Sequence, residues 1–204
     1  MGASMQPIRS LDTIRDMENT LARLETPRGR RMFLFFEVGF RMGMRVGDMI
    51  QLKVGDLRGK TEYTYIPQKQ AHKRGVHPIQ LPIDRSLQKI LKVRCADMAD
   101  KDWLFPSRQL SAGGNPNHIS RQSALRDMKR IGEITSCPIP LGCHSLRKTF
   151  GYQYYQVGRD VANLQKWFYH ESPATTLLYI GVTLDNLRSM TNKSPFSRAD
   201  DLPL

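Results

Sequence analysis

The sequence contains arginine, histidine and tyrosine residues whose spacing would let them act on one negatively charged ligand. His144 and Arg147 are three residues apart in a stretch with helical character, so they project from the same helix face. His170 follows Arg147 by twenty-three residues, and Tyr179 follows His170 by nine. Arg45, with a glycine two positions away on each side, adds a second guanidinium. Each residue alone would be read as a packing or surface residue, so the interpretation depends on their combination.

These residue types suit the attack of a tyrosine oxygen on a phosphodiester. Negative charge then grows on the two non-bridging oxygens, and the guanidinium groups of Arg45 and Arg147 can hold them through charge-assisted hydrogen bonds. His144 and His170 can donate to the same phosphate, and one of them can help to remove the phenolic proton, whose ordinary pKa is ~10. This chemistry requires no metal ion, and the sequence has no obvious carboxylate cluster to hold one.

The composition indicates a polyanionic partner. Thirty-one Lys and Arg against nineteen Asp and Glu give a formal net charge of +12 and a pI near 9.9, which favours nucleic acid as the partner. A membrane surface is the alternative, but no segment has the ~18 to 20 apolar residues of a spanning helix. Three cysteines without a CxxC pair indicate reduced thiols, so we expect a cytoplasmic protein with no zinc site and no cofactor.

Apolar periodicity and capping residues predict a mainly helical protein. Ser10, Thr26 with Pro27, and Asp160 are expected to begin helices, and Leu11 is expected on the apolar face of the first one. The predicted helices are 11–24, 26 to about 40, a short one ending near Leu52, 84–95, about 118–132 with Leu125 on its apolar face, 144–156, 161–169, a short one carrying Tyr179, and 184–190.

In the middle of the chain, the residue pattern changes from helical periodicity to one that is typical of β-strands. The segments "EYTYIP" (62–67) and "VHPIQLP" (76–82) are rich in β-branched and aromatic residues, and the polar residues between them predict a hairpin. A third short strand is expected in "LKVGDL" (52–57). The predicted fold class is therefore mixed α/β (α+β), mainly helical with a small antiparallel β-sheet.

Three motifs together resemble those of the tyrosine recombinases, the family of phage integrases and Xer-type resolvases. The segment "MGMRVGDMIQLKVGDL" is similar to the family's first box and supplies Arg45, with Asp48 three positions on. The second box, His-x-x-Arg, corresponds to "HSLRKTF", and the segment from histidine to tyrosine corresponds to "FYHESPATTLLYIGV". The resemblance extends from about residue 30 to 182 and implies the catalytic fold of that family.

The resemblance also implies a catalytic lysine on a hairpin turn. In "IPQKQAHKRG" this lysine corresponds best to Lys69, with Lys73 as the alternative. The sequence departs from the family pattern at two places: Met44 stands where leucine usually precedes the arginine, and Phe168-Tyr169 stands where Leu-Gly usually precedes the histidine. Both departures are interpreted as packing changes.

The implied activity is site-specific DNA strand exchange through a covalent 3′-phosphotyrosine, without metal or ATP. The candidate catalytic residues are Arg45, Lys69, His144, Arg147, His170 and Tyr179 as the nucleophile. Relatives act on double-stranded DNA as homotetramers, so the same partner and assembly are expected here, with no membrane partner. A mobile element, a phage or chromosome resolution would each fit as the biological setting.

The expected organisation is one catalytic domain over 1–204, without the N-terminal core-binding domain of typical relatives and with a flexible tail over 192–204. In relatives a C-terminal helix docks on a neighbouring protomer, so the 184–190 helix is expected to dock in trans in the assembled complex, and in cis or not at all in the free monomer, with Gly181 as a flexible joint after the nucleophile. The alternative is a helix that closes the core of its own chain. Two alternatives remain open. One is a type IB topoisomerase-like activity that relaxes DNA, and the other is an accessory factor of the same fold that binds DNA without cutting it.

Overall fold

A computed structural model describes residues 5–72, 75–110, 113–114, 116–182 and 189. The predicted 184–190 helix, the predicted 192–204 tail and Lys73 lie outside these residues. The helices are α1 (Leu11–Ala22), α2 (Pro27–Met42), α3 (Val46–Met49), α4 (Val54–Leu57), α5 (Arg85–Arg94), α6 (Arg121–Ile134), α7 (Ser145–Gly158), α8 (Val161–Phe168) and α9 (Pro173–Tyr179). The strands are β1 (Glu62–Tyr65) and β2 (Ile79–Pro82).

The fold class is confirmed, because the described residues are mainly helical and contain one small antiparallel sheet. Strands β1 and β2 pair with Tyr63 opposite Leu81, and a short 3₁₀ turn at Gln68–Gln70 lies between them. Among the described residues, no helix is both long and apolar enough to cross a membrane.

Helix α2 forms the centre of the main hydrophobic core. It begins where Thr26 accepts a hydrogen bond from the Gly29 amide at 3.1 Å, and it ends at Gly43 in a left-handed conformation. Nearly all of its second half is buried, and it packs against α1, α5, α6 and α7. Its contact with α7 is close, because a Cβ on Gly39 would lie 2.5 Å from Leu146 Cδ1. Helix α7 therefore has a fixed position on the core.

A second, smaller core joins α7, α8 and α9. Phe168 and Ile180 are fully buried there, and Phe150 on α7 packs against the ring of Phe168. Gly151 lets these helices approach closely, since its Cβ would lie 2.6 Å from Ile180 Cγ2 and 2.7 Å from Phe168 Cε2. Helix α9, which carries Tyr179, thus sits on α7 and α8 rather than on the main core.

The three predicted helix starts are confirmed, but three other local predictions are wrong. The third strand does not form: Val54–Leu57 is helix α4, because Val54 and Leu57 have helical spacing on the core and the Asp56 carboxylate accepts from the Lys53 amide at 2.7 Å. Leu11 and Leu125 are 54% and 36% exposed, so neither belongs to the apolar face that was predicted for its helix.

Candidate active site

All six residues selected from the sequence surround one pocket of about 360 Å³. The pocket lies where α3, the hairpin turn, and the ends of α7, α8 and α9 meet. Its lining residues are Arg45, Lys69, Gln70, His144, Arg147, Tyr169, His170, Glu171, Thr175 and Tyr179.

Arg45 enters the pocket from the turn between α2 and α3. Gly43 makes this turn possible, because it has φ +60 and a Cβ there would lie 2.3 Å from Phe150 Cδ1. Arg45 occupies the N-cap position of α3, and its Nη2 donates to the Phe168 carbonyl at 2.9 Å. Its Nη1 is buried without a hydrogen-bond partner. A buried, unpaired guanidinium donor is costly unless an acceptor joins it, so this group is suited to an anionic ligand.

Arg147 is held on α7 with only 3% of its surface exposed. Its Nη1 donates to the Gly43 carbonyl at 2.6 Å, and its Nη2 donates to the Phe168 carbonyl at 3.2 Å. Burial and the nearby charge of Arg45 lower its pKa to about 10, so it remains protonated at neutral pH. In the described part of the chain neither arginine forms a salt bridge, and their charge is therefore available to an anion.

The end of α8 aligns the two arginines. Tyr169 follows α8 in a left-handed conformation with φ +51, and its amide donates to the Lys166 carbonyl at 3.1 Å while the His170 amide donates to the Gln165 carbonyl at 3.0 Å. This Schellman-type ending leaves the Phe168 carbonyl outside the helix ladder, where it accepts from both guanidinium groups.

The interpretation of Tyr169 as a packing change is therefore incomplete. A left-handed conformation costs most side chains roughly 1 to 2 kcal/mol, which is the physical reason for glycine at such a position. Here the Tyr169 hydroxyl donates to the His77 carbonyl of the hairpin, a contact that glycine cannot make. The departure thus links α8 to the hairpin that carries Lys69.

The two histidines contact different partners. His144, just before α7, shares a hydrogen bond between its Nδ1 and the Tyr179 hydroxyl at 3.2 Å. Its pKa is lowered by desolvation and by the positive charges of Arg147 and Lys148. His170 shares a hydrogen bond with the Thr176 hydroxyl at 3.1 Å, and burial together with the two arginines lowers its pKa to about 4. Both rings are neutral at neutral pH in the absence of an added anion.

Tyr179 is the last residue of α9, a helix capped by Ser172 and started by Pro173. Its ring packs edge-on against Phe168 and His170, with centroid distances of 5.5 and 5.1 Å. Burial raises the pKa of its hydroxyl, and Arg147 and Arg45 oppose this shift only in part. The phenol is therefore protonated at neutral pH and requires a base if it is to act as a nucleophile.

Lys69 reaches the pocket from the exposed 3₁₀ turn between the strands. The turn is attached to α3, because the buried Asp48 carboxylate accepts from the Gln68 amide at 2.9 Å. Asp48 thus joins the segment that carries Arg45 to the turn that carries Lys69. The choice between Lys69 and Lys73 stays a prediction, since Lys73 lies outside the described residues.

The sequence reasoning missed three groups at the site. Thr176 is fully buried and contacts His170, and the Lys148 ammonium lies 5.2 Å from the centre of the Tyr179 ring. Lys148 directly follows Arg147, so its place in the motif was a usable signal. The Phe168 carbonyl gives no such signal, because a backbone acceptor is present at every residue.

The fold and the pocket define a helical α+β domain with a tyrosine and two uncompensated arginines at one site. The phage integrase family model matches residues 12–185, and the chain belongs to this family.

Two curated proteins and two solved structures illustrate the similarity. The probable integrase/recombinase YoeC of Bacillus subtilis is 31% identical over 91% of this chain and 94% of its own length. The tyrosine recombinase XerD of Rhizobium meliloti is 25% identical over 82% of this chain, which spans about half (53%) of that protein. A crystal structure of XerA recombinase superposes with a TM-score of 0.66 at 21% identity, covering 95% of this chain and 65% of that one. The post-cleavage complex of the XerH site-specific recombinase bound to palindromic difH substrate gives a TM-score of 0.65 at 18% identity. The superposition covers 94% of this chain and 54% of that one.

Proposed function

We propose that this protein is a site-specific DNA recombinase or integrase that cleaves and rejoins strands through a covalent 3′-phosphotyrosine. The observation that carries this proposal is the position of the Tyr179 hydroxyl in one pocket with Arg45 and Arg147. Membership of the phage integrase family supports the same activity.

The arginines bind the phosphate that is attacked. Each uses part of its guanidinium on the Phe168 carbonyl, which fixes its orientation and leaves other N–H groups for the ligand. Arg45 Nη1 is one such donor. When Tyr179 attacks, charge grows on the non-bridging oxygens, and donors that are already oriented stabilise it without reorganising.

His144 removes the phenolic proton. It is the ring in hydrogen-bonding distance of the Tyr179 hydroxyl, and its lowered pKa keeps it neutral and able to accept a proton. The Tyr179 oxygen then forms a bond to phosphorus, and the bond from phosphorus to the 5′ oxygen breaks. His170 supports the site by donating to the phosphate and by packing against the tyrosine ring.

Lys69 supplies the proton that the departing 5′ oxygen needs. In the reverse direction a 5′ hydroxyl attacks the phosphotyrosine and Lys69 takes back the proton. The bond from phosphorus to the Tyr179 oxygen breaks, and His144 returns the phenolic proton. The bond energy is kept in the covalent intermediate, so resealing requires no ATP. Charge stabilisation by Arg45 and Arg147 makes the step independent of a metal ion.

Double-stranded DNA is the proposed partner, and the cytoplasm is the proposed location. The net charge of +12 favours a duplex, and XerH provides a structural neighbour bound to DNA. Exchange between two duplexes requires a nucleophile for each of four strands, so we propose four protomers on two duplexes.

A nicked suicide DNA substrate tests the proposal. Because the fragment beyond the nick diffuses away, the cleaved state is trapped and a covalent protein–DNA band is expected on a denaturing gel. Tyr179→Phe should lose the band while DNA affinity changes by less than about twofold, since only the nucleophilic oxygen is removed. Tyr169→Phe is the matched control, and it should retain a band because Tyr169 is not the nucleophile.

The same assay separates the alternatives. An adduct together with plasmid relaxation, but without exchange between two duplexes, would favour the topoisomerase-like activity. Binding without any adduct would favour the accessory factor and would contradict the proposal.

A further inference from the structure

The segment 5–10, just before α1, lies across α7 and is fixed there by hydrogen bonds between its backbone and side chains of α7. The Ile8 amide donates to the Thr149 hydroxyl at 2.9 Å in a buried contact. The Gln153 side-chain amide donates to the carbonyls of Ile8 at 3.2 Å and Arg9 at 2.9 Å. Thr149 and Gln153 are one helical turn apart on α7, so they hold this segment, which we call the strap, along one helix face.

The strap also reaches the end of the helix that carries Tyr179. Helix α9 ends in a Schellman motif, in which the Gly181 amide donates to the Leu178 carbonyl at 3.2 Å and the Val182 amide donates to the Leu177 carbonyl at 3.0 Å. Gly181 has φ +77, and a Cβ there would lie 3.3 Å from Pro7 Cδ. Gly181 is thus the C-terminal cap of α9 and lies under the strap, and its role as a flexible joint stays a prediction.

Arg9 makes the contact that joins these two elements. Its Nη2 donates to the Gly181 carbonyl at 3.0 Å, two residues after Tyr179, and its guanidinium lies 5.5 Å from the centre of the Tyr152 ring. The bond connects residues 172 positions apart in the chain. Arg9 therefore links the start of the described chain to the nucleophile helix.

We propose that Arg9 is a positioning residue for the reaction, which acts by fixing the end of α9 and so the place of the Tyr179 hydroxyl. The inference rests on the proposed role of Tyr179 as nucleophile. Helix α9 has only seven residues and is too short to be stable by itself, so its contacts determine where it lies. A misplacement of about 1 Å is enough to slow a reaction that depends on aligned atoms.

The strap has a further consequence for regulation. A displacement of residues 5–10 along α7 would move Arg9 and so act on the Gly181 carbonyl, and it would also shift Ile8, which is buried in the main core. The position of the nucleophile is thus coupled to the position of the chain that enters α1.

The test compares Arg9→Ala with Arg15→Ala in the full chain. Both changes remove one exposed positive charge, but Arg15 pairs with Asp12 within α1 and so lies outside the contact with α9. Four quantities are measured for each variant: the single-turnover rate of adduct formation on the nicked substrate, the DNA dissociation constant, the melting temperature, and hydrogen exchange at the amides of Gly181 and Val182 without DNA. Arg9→Lys is the conservative variant, since an ammonium can still donate to the carbonyl.

For Arg9→Ala we expect adduct formation to slow about three- to tenfold, and exchange at Gly181 and Val182 to rise at least threefold. The dissociation constant and the melting temperature should match those of Arg15→Ala. Arg9→Lys should restore part of the adduct rate and part of the protection from exchange. Equal adduct rates for the two alanine variants, a faster rate for Arg9→Ala, or a uniform rise in exchange over the whole domain would overturn the proposal.

The exchange measurement separates this inference from the proposed function. If the wild-type chain formed no adduct, the proposed function would fail, and the proposed catalytic effect of Arg9 would fail with it. If the wild-type chain forms the adduct and Arg9→Ala alters neither its rate nor the local exchange, only the positioning role fails.

Discussion

At the residue scale, the main feature of the site is that two guanidinium groups share one backbone acceptor. Arg45 and Arg147 repel each other, yet both donate to the Phe168 carbonyl at the negative end of α8. This arrangement holds two like charges side by side before any anion binds. The carbonyl at the helix end thus holds the two arginines as an acidic side chain could, but it does not neutralise their positive charge, which stays available to a phosphate.

Arg147→Lys tests the need for a planar, forked donor at this position. Lysine keeps the charge, but its single ammonium cannot bridge the Gly43 and Phe168 carbonyls and also bind a phosphate oxygen. We expect the rate of adduct formation to fall by about 10²- to 10³-fold, or ~3 to 4 kcal/mol of transition-state stabilisation. Single-turnover kinetics on the nicked substrate measures this loss, with circular dichroism as the folding control. A loss of less than about threefold would show that charge alone is sufficient.

His170 predicts a pH dependence of stability. Its folded pKa of about 4 lies below the ordinary value of 6.5, so between these pH values the unfolded chain binds a proton that the folded chain does not. The contribution of His170 to the free energy of unfolding is therefore complete above pH 6.5 and is lost as the pH falls towards 4. Denaturant unfolding of the wild type and of His170→Gln at several pH values measures it. The variant should lose stability less steeply over this range, and parallel curves would contradict the lowered pKa.

At the element scale, the site depends on how closely α7, α8 and α9 pack. Gly151 faces both Phe168 and Ile180, the first next to the shared carbonyl and the second next to the nucleophile. One small residue on α7 thereby sets the distance between the arginine and tyrosine sides of the pocket. A side chain at this point would separate them.

Gly151→Ala and Gly158→Ala form a matched pair on the same helix. A Cβ at Gly151 would clash with Ile180 and Phe168, whereas nothing lies within 4 Å of a Cβ at Gly158. Gly151→Ala should cost about 1 to 3 kcal/mol of unfolding free energy through overpacking and should also slow adduct formation. Gly158→Ala should leave stability unchanged or raise it by up to about 1 kcal/mol, because alanine favours the helix. Equal stability of the two variants would contradict the close packing.

At this scale, the residues at which helices begin could be predicted from the sequence, but several of those at which they end could not. Ser10 and Asp160 are local signals, since each side chain accepts from an amide three residues on, and the structure has both bonds. The left-handed Tyr169 gives no such signal, because its conformation is stabilised by a distant carbonyl on the hairpin. Helix α4 was missed because a four-residue helix on the core shows too little periodicity to be told from a strand.

The same distinction applies to the site. Arg45 and Tyr179 could be selected by type and spacing, and the structure brings them into one pocket with the other candidates. The links between them were not predictable, because Phe168 acts through its backbone and Arg9 through a carbonyl 172 residues away. Such contacts exist only once the helices have packed.

At the scale of the whole molecule, the net charge of +12 is expected to control the affinity for the proposed DNA partner. Contacts with phosphates release counterions, so we expect affinity to fall by more than tenfold between 50 and 200 mM salt, roughly as for a protein with several phosphate contacts. Since such contacts carry little sequence information, the chain alone should also show limited sequence preference. Fluorescence anisotropy with two unrelated duplexes measures both properties. Tight binding that does not change with salt would contradict this expectation.

In the proposed mechanism, Tyr179 becomes covalently joined to a 3′ phosphate of DNA. The most direct measurement is mass spectrometry of the trapped adduct after digestion of the DNA to a short remnant. Trypsin is insufficient, because Tyr169 and Tyr179 lie in the same fragment between Lys166 and Arg188. Additional cleavage after Glu171 separates them. We expect the remnant, linked through its 3′ phosphate, on the fragment that contains Tyr179. A remnant on the Tyr169 fragment, or one linked through a 5′ phosphate, would contradict the proposed mechanism.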